Sequence, residues 1–149
     1  INTSFYNVHE LRAVITEIAR KSNVVSPLSL HILSFGFKYG TPRDADLVMD
    51  VRFLANPYFV PELKAMTGKM EPVKEFVLND PNCRVFLDKY IDLINYLIPL
   101  YEKEKKSYLT LAVGCTGGRH RSTAIAEFLY EHLKKPGIRL TVSHRDIEQ

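Results

Sequence analysis

The chain has 149 residues, 46% of them hydrophobic and 25% charged, which is enough for one folded domain with a full-sized core. A net charge of +3 is too mild to establish nucleic-acid binding by itself and leaves room for a local basic patch. No apolar run reaches bilayer-spanning length, and no signal-peptide pattern opens the chain.

Val8, Leu11, Ile15 and Ile18 recur at helical spacing and predict a helix over residues 7–21, broken by Ser26-Pro27. Leu28 to Phe35 reads as a strand that ends in the loop from Ser34 through Lys38 to Gly40. A second strand is expected over Leu47–Phe53, bounded by Asn56-Pro57. Between Val60 and Asn79 the pattern suggests short helices broken by Gly68 and Pro72. A longer helix follows with Leu87, Ile91, Ile94 and Ile98 on one face, and Pro99 is expected to kink or end it. The apolar run Tyr108–Val113 predicts another strand, leading into a glycine turn at residues 114–122. Ile125, Phe128, Leu129 and Leu133 mark the inner face of the next helix, which Pro136-Gly137 closes before a final strand over Ile138–Ser143.

Alternating strands and helices argue for an α/β layered domain with a mostly parallel sheet. Ligands of such sheets sit beyond the carboxyl ends of the strands. That rule gathers Gly36–Lys38, Arg52–Asn56 and the 115–122 turn around one crevice. Neither repeats, nor a low-complexity tract, nor a linker divides residues 1–149, which read as a single domain. Ile1 in place of Met points to a piece of a longer protein. Two cysteines, Cys83 and Cys115, make no disulfide framework and fit a reducing cytoplasm.

Gly114-Cys115-Thr116-Gly117-Gly118-Arg119-His120-Arg121-Ser122 is the most informative stretch. A strand, a glycine turn and a helix N-terminus aim backbone N–H groups at one point, a geometry that attracts phosphate. Arg119 and Arg121 add guanidinium forks suited to phosphate oxygens. Arg121, where the helix begins, is the stronger ligand candidate, and Arg119 also reads as simply solvated. His120, beside two arginines, is expected to stay neutral and to donate one hydrogen bond to ligand or backbone.

Cys115-x-x-Gly118-x-x-Arg121-Ser122 also matches the C-x-x-G-x-x-R-[ST] loop of cysteine-dependent phosphatases. There a thiolate attacks phosphorus, the Arg holds two oxygens, and the Ser or Thr assists the leaving sulfur. Gly114 stands where those enzymes usually carry His, and no Asp is marked as the general acid. Cys115 therefore reads first as a buried wall residue and second as a nucleophile.

Asp44, Asp46 and Asp50 form an acidic cluster whose spacing matches no calcium loop, so no metal is expected. Asp50 and Arg52 share a strand face, either to take a sugar hydroxyl and a phosphate or to pair with each other. Lys38 reaches an anion or lays its stem over the neighbouring rings. His144-Arg145-Asp146 imitates a kinase catalytic loop but lacks the downstream Asn and the glycine-rich loop that kinases need. Lys103, Lys105 and Lys106 read as a solvated run at a helix C-terminus.

Three blocks together resemble a known family: Ser34-Phe35-Gly36-Phe37-Lys38-Tyr39-Gly40; Asp44-Ala45-Asp46 running through Asp50-Val51-Arg52-Phe53-Leu54 to Asn56-Pro57; and the 114–122 turn with His144-Arg145. From about Leu28 to the end, the chain is similar to the C-terminal domain of the bacterial RapZ/YvcJ family of RNase adapter and nucleotide-binding proteins. The resemblance implies a fold similar to a phosphofructokinase subdomain. It also implies a cytoplasmic, non-catalytic sensor and adapter that binds glucosamine-6-phosphate and oligomerises. Small regulatory RNA and an endoribonuclease are the implied partners. ATP or GTP would belong to an N-terminal P-loop domain, whose Walker motif does not occur in these residues, so no cofactor is expected here.

Carried over by motif, the pocket would use Asp50, Thr116, Gly117 and Arg121, with Arg52 and Asn56 nearby. The rest of the turn (Cys115, Gly118, Arg119, His120, Ser122) forms its frame, with Lys38 and Tyr58 as further candidates. Tyr58 replaces the His of enterobacterial members and Ala55 a common Pro. Asp146-Ile147-Glu148-Gln149 stands in place of their basic, RNA-binding tail. A cysteine-dependent phosphatase and a pure RNA-binding module are the alternatives.

Overall fold

The computed structural model describes residues 8–21 and 28–149. The first predicted helix is present as α1 (Val8–Lys21), and the break expected at Ser26-Pro27 lies outside the described residues. In β1 (Leu28–Gly36), Leu28, Leu30 and Ile32 are buried and alternate with half-buried Ser29, His31 and Leu33. A period of two assigns alternate residues to opposite sheet faces, so the leucines and isoleucine mark the core side. The remaining elements are β2 (Leu47–Asp50), α2 (Glu71–Leu78), α3 (Pro81–Lys103), β3 (Tyr108–Cys115), α4 (Arg121–His132) and β4 (Ile138–His144).

The four strands form one parallel sheet in the order β2-β3-β1-β4. Helix α4 packs against β1, β3 and β4, and α2 packs against α4 and α3. One core joins Leu30, Ile32, Leu109 and Leu111 of the sheet to Val73, Val77, Ile94, Ile98, Ile125 and Leu129 of the helices. On the opposite sheet face, the ring nitrogens of His31 lie 2.7 Å from Thr141 Oγ1 and 2.9 Å from Ser143 Oγ. All four strands point their carboxyl ends the same way, which brings the loops after Gly36, Asp50, Cys115 and His144 to one edge.

Several expectations are corrected. The second strand stops at Asp50 instead of Phe53, because the Asp50 carboxylate accepts the Arg52 backbone N–H at 2.9 Å and turns the chain. Pro72 does not break a helix but sits in the first turn of α2, where its missing N–H costs nothing. Pro99 does not end α3, which runs on to Lys103; the proline is exposed, while Ile94 and Ile98 anchor the helix. Lys106 is not a solvated charge, since its Nζ lies 2.8 Å from Asp46 Oδ1. Asp46 also accepts the Thr110 N–H at 2.8 Å, so it belongs to the edge of the sheet and not to an acidic cluster with Asp50.

Candidate functional site

Gly36 and Cys115 face each other at the ends of β1 and β3, and the glycine turn folds back over that pair. Gly118 has φ +78, and a Cβ there would lie 2.6 Å from the Gly36 nitrogen. Only glycine fits such a backbone approach with a left-handed φ. The Lys38 N–H donates to Thr116 O at 3.1 Å and the Gly68 N–H to Arg119 O at 2.8 Å, pinning the turn from both sides. The Cys115 sulfur accepts the Gly118 N–H at 3.3 Å and lies 3.1 Å from Ser122 Oγ. Behind it, Thr123 Oγ1 donates to Gly118 O at 3.0 Å.

The turn forms the floor of an open cleft of about 890 Å³. Thr116, Gly117, Cys115 and Arg121 line the floor, while Lys38, Arg52, Asn56 and Tyr58 come from the loops after β1 and β2. Arg119 and His120 border the same cleft; Asp50, Gly118 and Ser122 do not. Gly118 and Ser122 instead shape the turn from behind.

Arg121 starts α4 and is only 5% exposed. Its Nη1 donates to Arg52 O at 2.8 Å and Leu54 O at 3.1 Å, and Nη2 donates to Thr116 Oγ1 at 3.3 Å. Three of the five guanidinium donors are thereby used. Among the described residues no carboxylate forms a salt bridge with it. Burial pushes its pKa below the ordinary value, with Cys115 and Asp50 acting the other way. Buried charges are normally paired, so a buried cation held only by neutral oxygens on the floor of an open cleft is suited to an anion. The N–H groups in the first turn of α4 add a positive end of the helix dipole at the same place.

The other candidates have partners within the protein. Arg52 forks Asp50 with Nε and Nη2, the shortest bond being 2.7 Å, and its guanidinium lies 4.1 Å from the centroid of the Phe37 ring. The internal pair thus forms, and its hydrogen bonds hold the Asp50 carboxyl below the usual carboxylate value. Arg119 is not solvated: it donates to the carbonyls of Ala65 at 2.7 Å and Met66 at 3.3 Å, and reaches Ile147 at 3.5 Å. His120 Nε2 donates to Lys64 O at 3.1 Å, which fixes the tautomer. Burial first, and then Arg119 and Arg121, lower its pKa, so the ring is held neutral. Asn56 Oδ1 accepts the Tyr58 N–H and caps the short 3-10 turn Pro57–Phe59.

Leu54, inside the Arg52–Asn56 segment expected at the crevice, lines the cleft wall, whereas sequence reasoning missed Tyr39, Phe59 and Gln149 there. Tyr39 and Phe59 adjoin the candidates Lys38 and Tyr58, a signal that was available. The His144-Arg145-Asp146 block proves structural. Asp146 is buried, accepts the Gly36 N–H at 2.8 Å and receives a fork from Arg145, which also donates to Gly40 O. His144 joins Ser34 Oγ and Glu127 Oε1, each at 2.6 Å, tying β4 to β1 and α4. Both cysteines are free, and burial pushes Cys83 up to about 11, far from reactivity. No described helix is long and apolar enough to cross a membrane.

Residues 28–148 match the family model described as the RapZ C-terminal domain. Over its whole length the chain is 58% identical to a nucleotide-binding protein of Desulforapulum autotrophicum, covering 51% of that protein. It is 50% identical to one of Geobacter sulfurreducens, covering 52%, and 48% identical to one of Heliobacterium modesticaldum, covering 50%. The chain spans about half the length of these curated relatives. It belongs to the RapZ family and corresponds to its C-terminal domain.

Proposed function

We propose that this domain is a non-catalytic sensor that binds a phosphate-bearing small molecule in the cleft above residues 115–121. An aminosugar phosphate such as glucosamine-6-phosphate is the leading ligand, on the family resemblance. The observation that carries the reading is Arg121: buried, without a carboxylate partner among the described residues, and facing the cleft together with a glycine turn and a helix N-terminus. Binding would alter the loops at the sheet edge and so report to partners, with a small regulatory RNA, an endoribonuclease and further copies of the chain as the expected ones. Any hydrolysis of ATP or GTP, and the nucleotide binding named for the relatives, would belong to the remainder of the longer protein. A cytoplasmic location is part of the same proposal.

Titration calorimetry with glucosamine-6-phosphate and with glucosamine tests it. Saturable binding of the first alone is the expected result; equal heats for both, or none for either, would overturn it. The sulfur geometry favours one second reading. Cys115 Sγ accepts an N–H and lies within reach of Ser122 Oγ, as a phosphatase thiolate would require. Among the described residues lining the cleft there is no Asp or Glu to act as general acid. Hydrolysis of an aryl phosphate that disappears in Cys115→Ser would establish that reading, and no turnover by the folded chain would remove it. RNA binding by this half requires an affinity that falls steeply with salt.

A further inference from the structure

Three side chains behind the cleft stand in the order of a hydrolase triad. Ser34 Oγ lies 2.6 Å from His144 Nδ1, and His144 Nε2 lies 2.6 Å from Glu127 Oε1. Ser34 is fully buried, so it meets no substrate and is no nucleophile. Its other neighbour is Thr123 Oγ1 at 3.4 Å, and Thr123 in turn donates to Gly118 O at 3.0 Å. The chain Glu127–His144–Ser34–Thr123–Gly118 thus runs from α4 and β4 through β1 to the glycine turn.

Hydrogen counting gives this chain a direction. A carbonyl only accepts, and each hydroxyl owns one hydrogen. Thr123 uses its hydrogen on Gly118 O, so toward Ser34 it can only accept. Two buried hydroxyl oxygens face each other favourably only with a hydrogen between them, which Ser34 must supply. Ser34 then accepts from His144, and that places a hydrogen on Nδ1. At the second ring nitrogen, either Nε2 donates to the Glu127 carboxylate or a protonated Glu127 donates to Nε2. In both cases the pair keeps one proton more than a neutral ring beside a carboxylate. Both ring contacts, at 2.6 Å, are shorter than the ordinary N–H···O range of about 2.7–3.2 Å, as charge-assisted bonds tend to be.

At the far end of the chain, the trans peptide sets the Arg119 N–H opposite to Gly118 O. With that oxygen held by Thr123, the N–H points away from Thr123. It has no acceptor among the described residues, and Arg119 borders the cleft. We propose that His144 is a positioning residue for the phosphate turn. With Glu127 it supplies the hydrogen that orders Ser34 and Thr123 in one direction, and so holds the 118–119 peptide with its N–H presented to the ligand. This inference rests on the phosphate reading and adds how the turn is held and read out. A phosphate that accepts from the Arg119 N–H makes Gly118 O a stronger acceptor, and the chain relays that polarisation to His144 on β4.

The test follows the His144 ring in long-range ¹H–¹⁵N spectra of the 149-residue chain in neutral buffer, with calorimetry on glucosamine-6-phosphate alongside. The ring signal absent from His144→Gln identifies it. The free wild type should carry a hydrogen on Nδ1, and the ligand should shift that signal. Thr123→Val keeps the shape but takes the acceptor from Ser34, whose hydrogen then turns to the ring. Nδ1 should lose its hydrogen, and affinity should fall roughly 3- to 10-fold. Thr123→Ser keeps the hydroxyl and should match the wild type in both readouts. Thermal melting verifies the fold of each variant; should Thr123→Val not fold, Ser34→Ala breaks the same chain and carries the same expected loss of affinity. A bare Nδ1 in the free wild type would overturn the direction of the chain, whatever the ligand does. Wild-type affinity in a folded Thr123→Val or Ser34→Ala would overturn the positioning role and leave the phosphate reading standing. Absence of heat with the wild type would remove the phosphate reading and, with it, the role built on it.

Discussion

Replacing Arg121 by Ala should weaken both the ligand site and the loop that frames it, by amounts that can be separated. Two carbonyls, Arg52 O and Leu54 O, lose their guanidinium partner. A buried acceptor left unsatisfied costs ~1–3 kcal/mol, and because the cleft admits water the lower half of that range applies to each. The sum is about 2–4 kcal/mol, which for a domain of this size lowers Tm by roughly 4–16 °C. Affinity falls separately. Two charge-assisted bonds to phosphate at ~1.5–3 kcal/mol each predict a loss of at least about 100-fold. Arg121→Lys keeps the charge but not the fork, so it should recover part of the affinity while one or both carbonyls stay unpaired. The assay pairs thermal melting with calorimetry on glucosamine-6-phosphate. The ligand should raise the Tm of the wild type and leave that of Arg121→Ala in place. A folded Arg121→Ala that binds within three-fold of wild type would refute the reasoning.

Other variants probe the frame. Gly118→Ala forces a Cβ to 2.6 Å from the Gly36 nitrogen at a positive φ, so we expect a loss of about 2 kcal/mol or more, seen as a lower Tm. An unchanged Tm would mean the turn adapts freely. Asp146→Ala leaves the Gly36 N–H and the Arg145 fork without their acceptor; about 2–4 kcal/mol should be lost, measured by urea unfolding, and ligand affinity should drop with it. Pro99→Ala restores a helix N–H in α3 at an exposed position and should raise stability by about 1 kcal/mol in the same assay, whereas a lower midpoint would contradict the account of α3. His120 is held neutral with its native pKa below the ordinary 6.5, so the unfolded chain binds more protons as pH falls. Its contribution to stability is present above pH 6.5 and is lost as pH drops through the native value. His120→Gln, whose amide can still donate to Lys64 O, should flatten the Tm profile between pH 7 and pH 5; parallel profiles would count against this. His31, lowered by burial too, contributes in the same direction and remains in the variant.

Strand β1 was legible because Leu28, Leu30 and Ile32 alternate with polar neighbours, and α3 because its isoleucines and leucine repeat at helical spacing. The strand-turn-helix at 108–132 was legible for the same reason, and with it the floor of the cleft. The early end of β2 was not, because an Asx turn at Asp50 competes with a strand pattern that continues in sequence. The role of Arg119 was also hidden: its acceptors are carbonyls of Ala65 and Met66, far away in sequence, and backbone oxygens leave no residue signature. The same holds for Asp146, which reaches across to the Gly36 N–H. Periodicity reports which face is buried; it carries no information on which distant backbone groups a polar side chain will satisfy.

The central claim is that the 115–121 turn and Arg121 hold a phosphate. A crystal structure of the chain with glucosamine-6-phosphate tests it most directly. The account predicts the phosphorus above Thr116 and Gly117, with phosphate oxygens within hydrogen-bond distance of Arg121 and of the turn's N–H groups. Ligand density elsewhere on the chain, with this turn empty at saturating ligand, would contradict it.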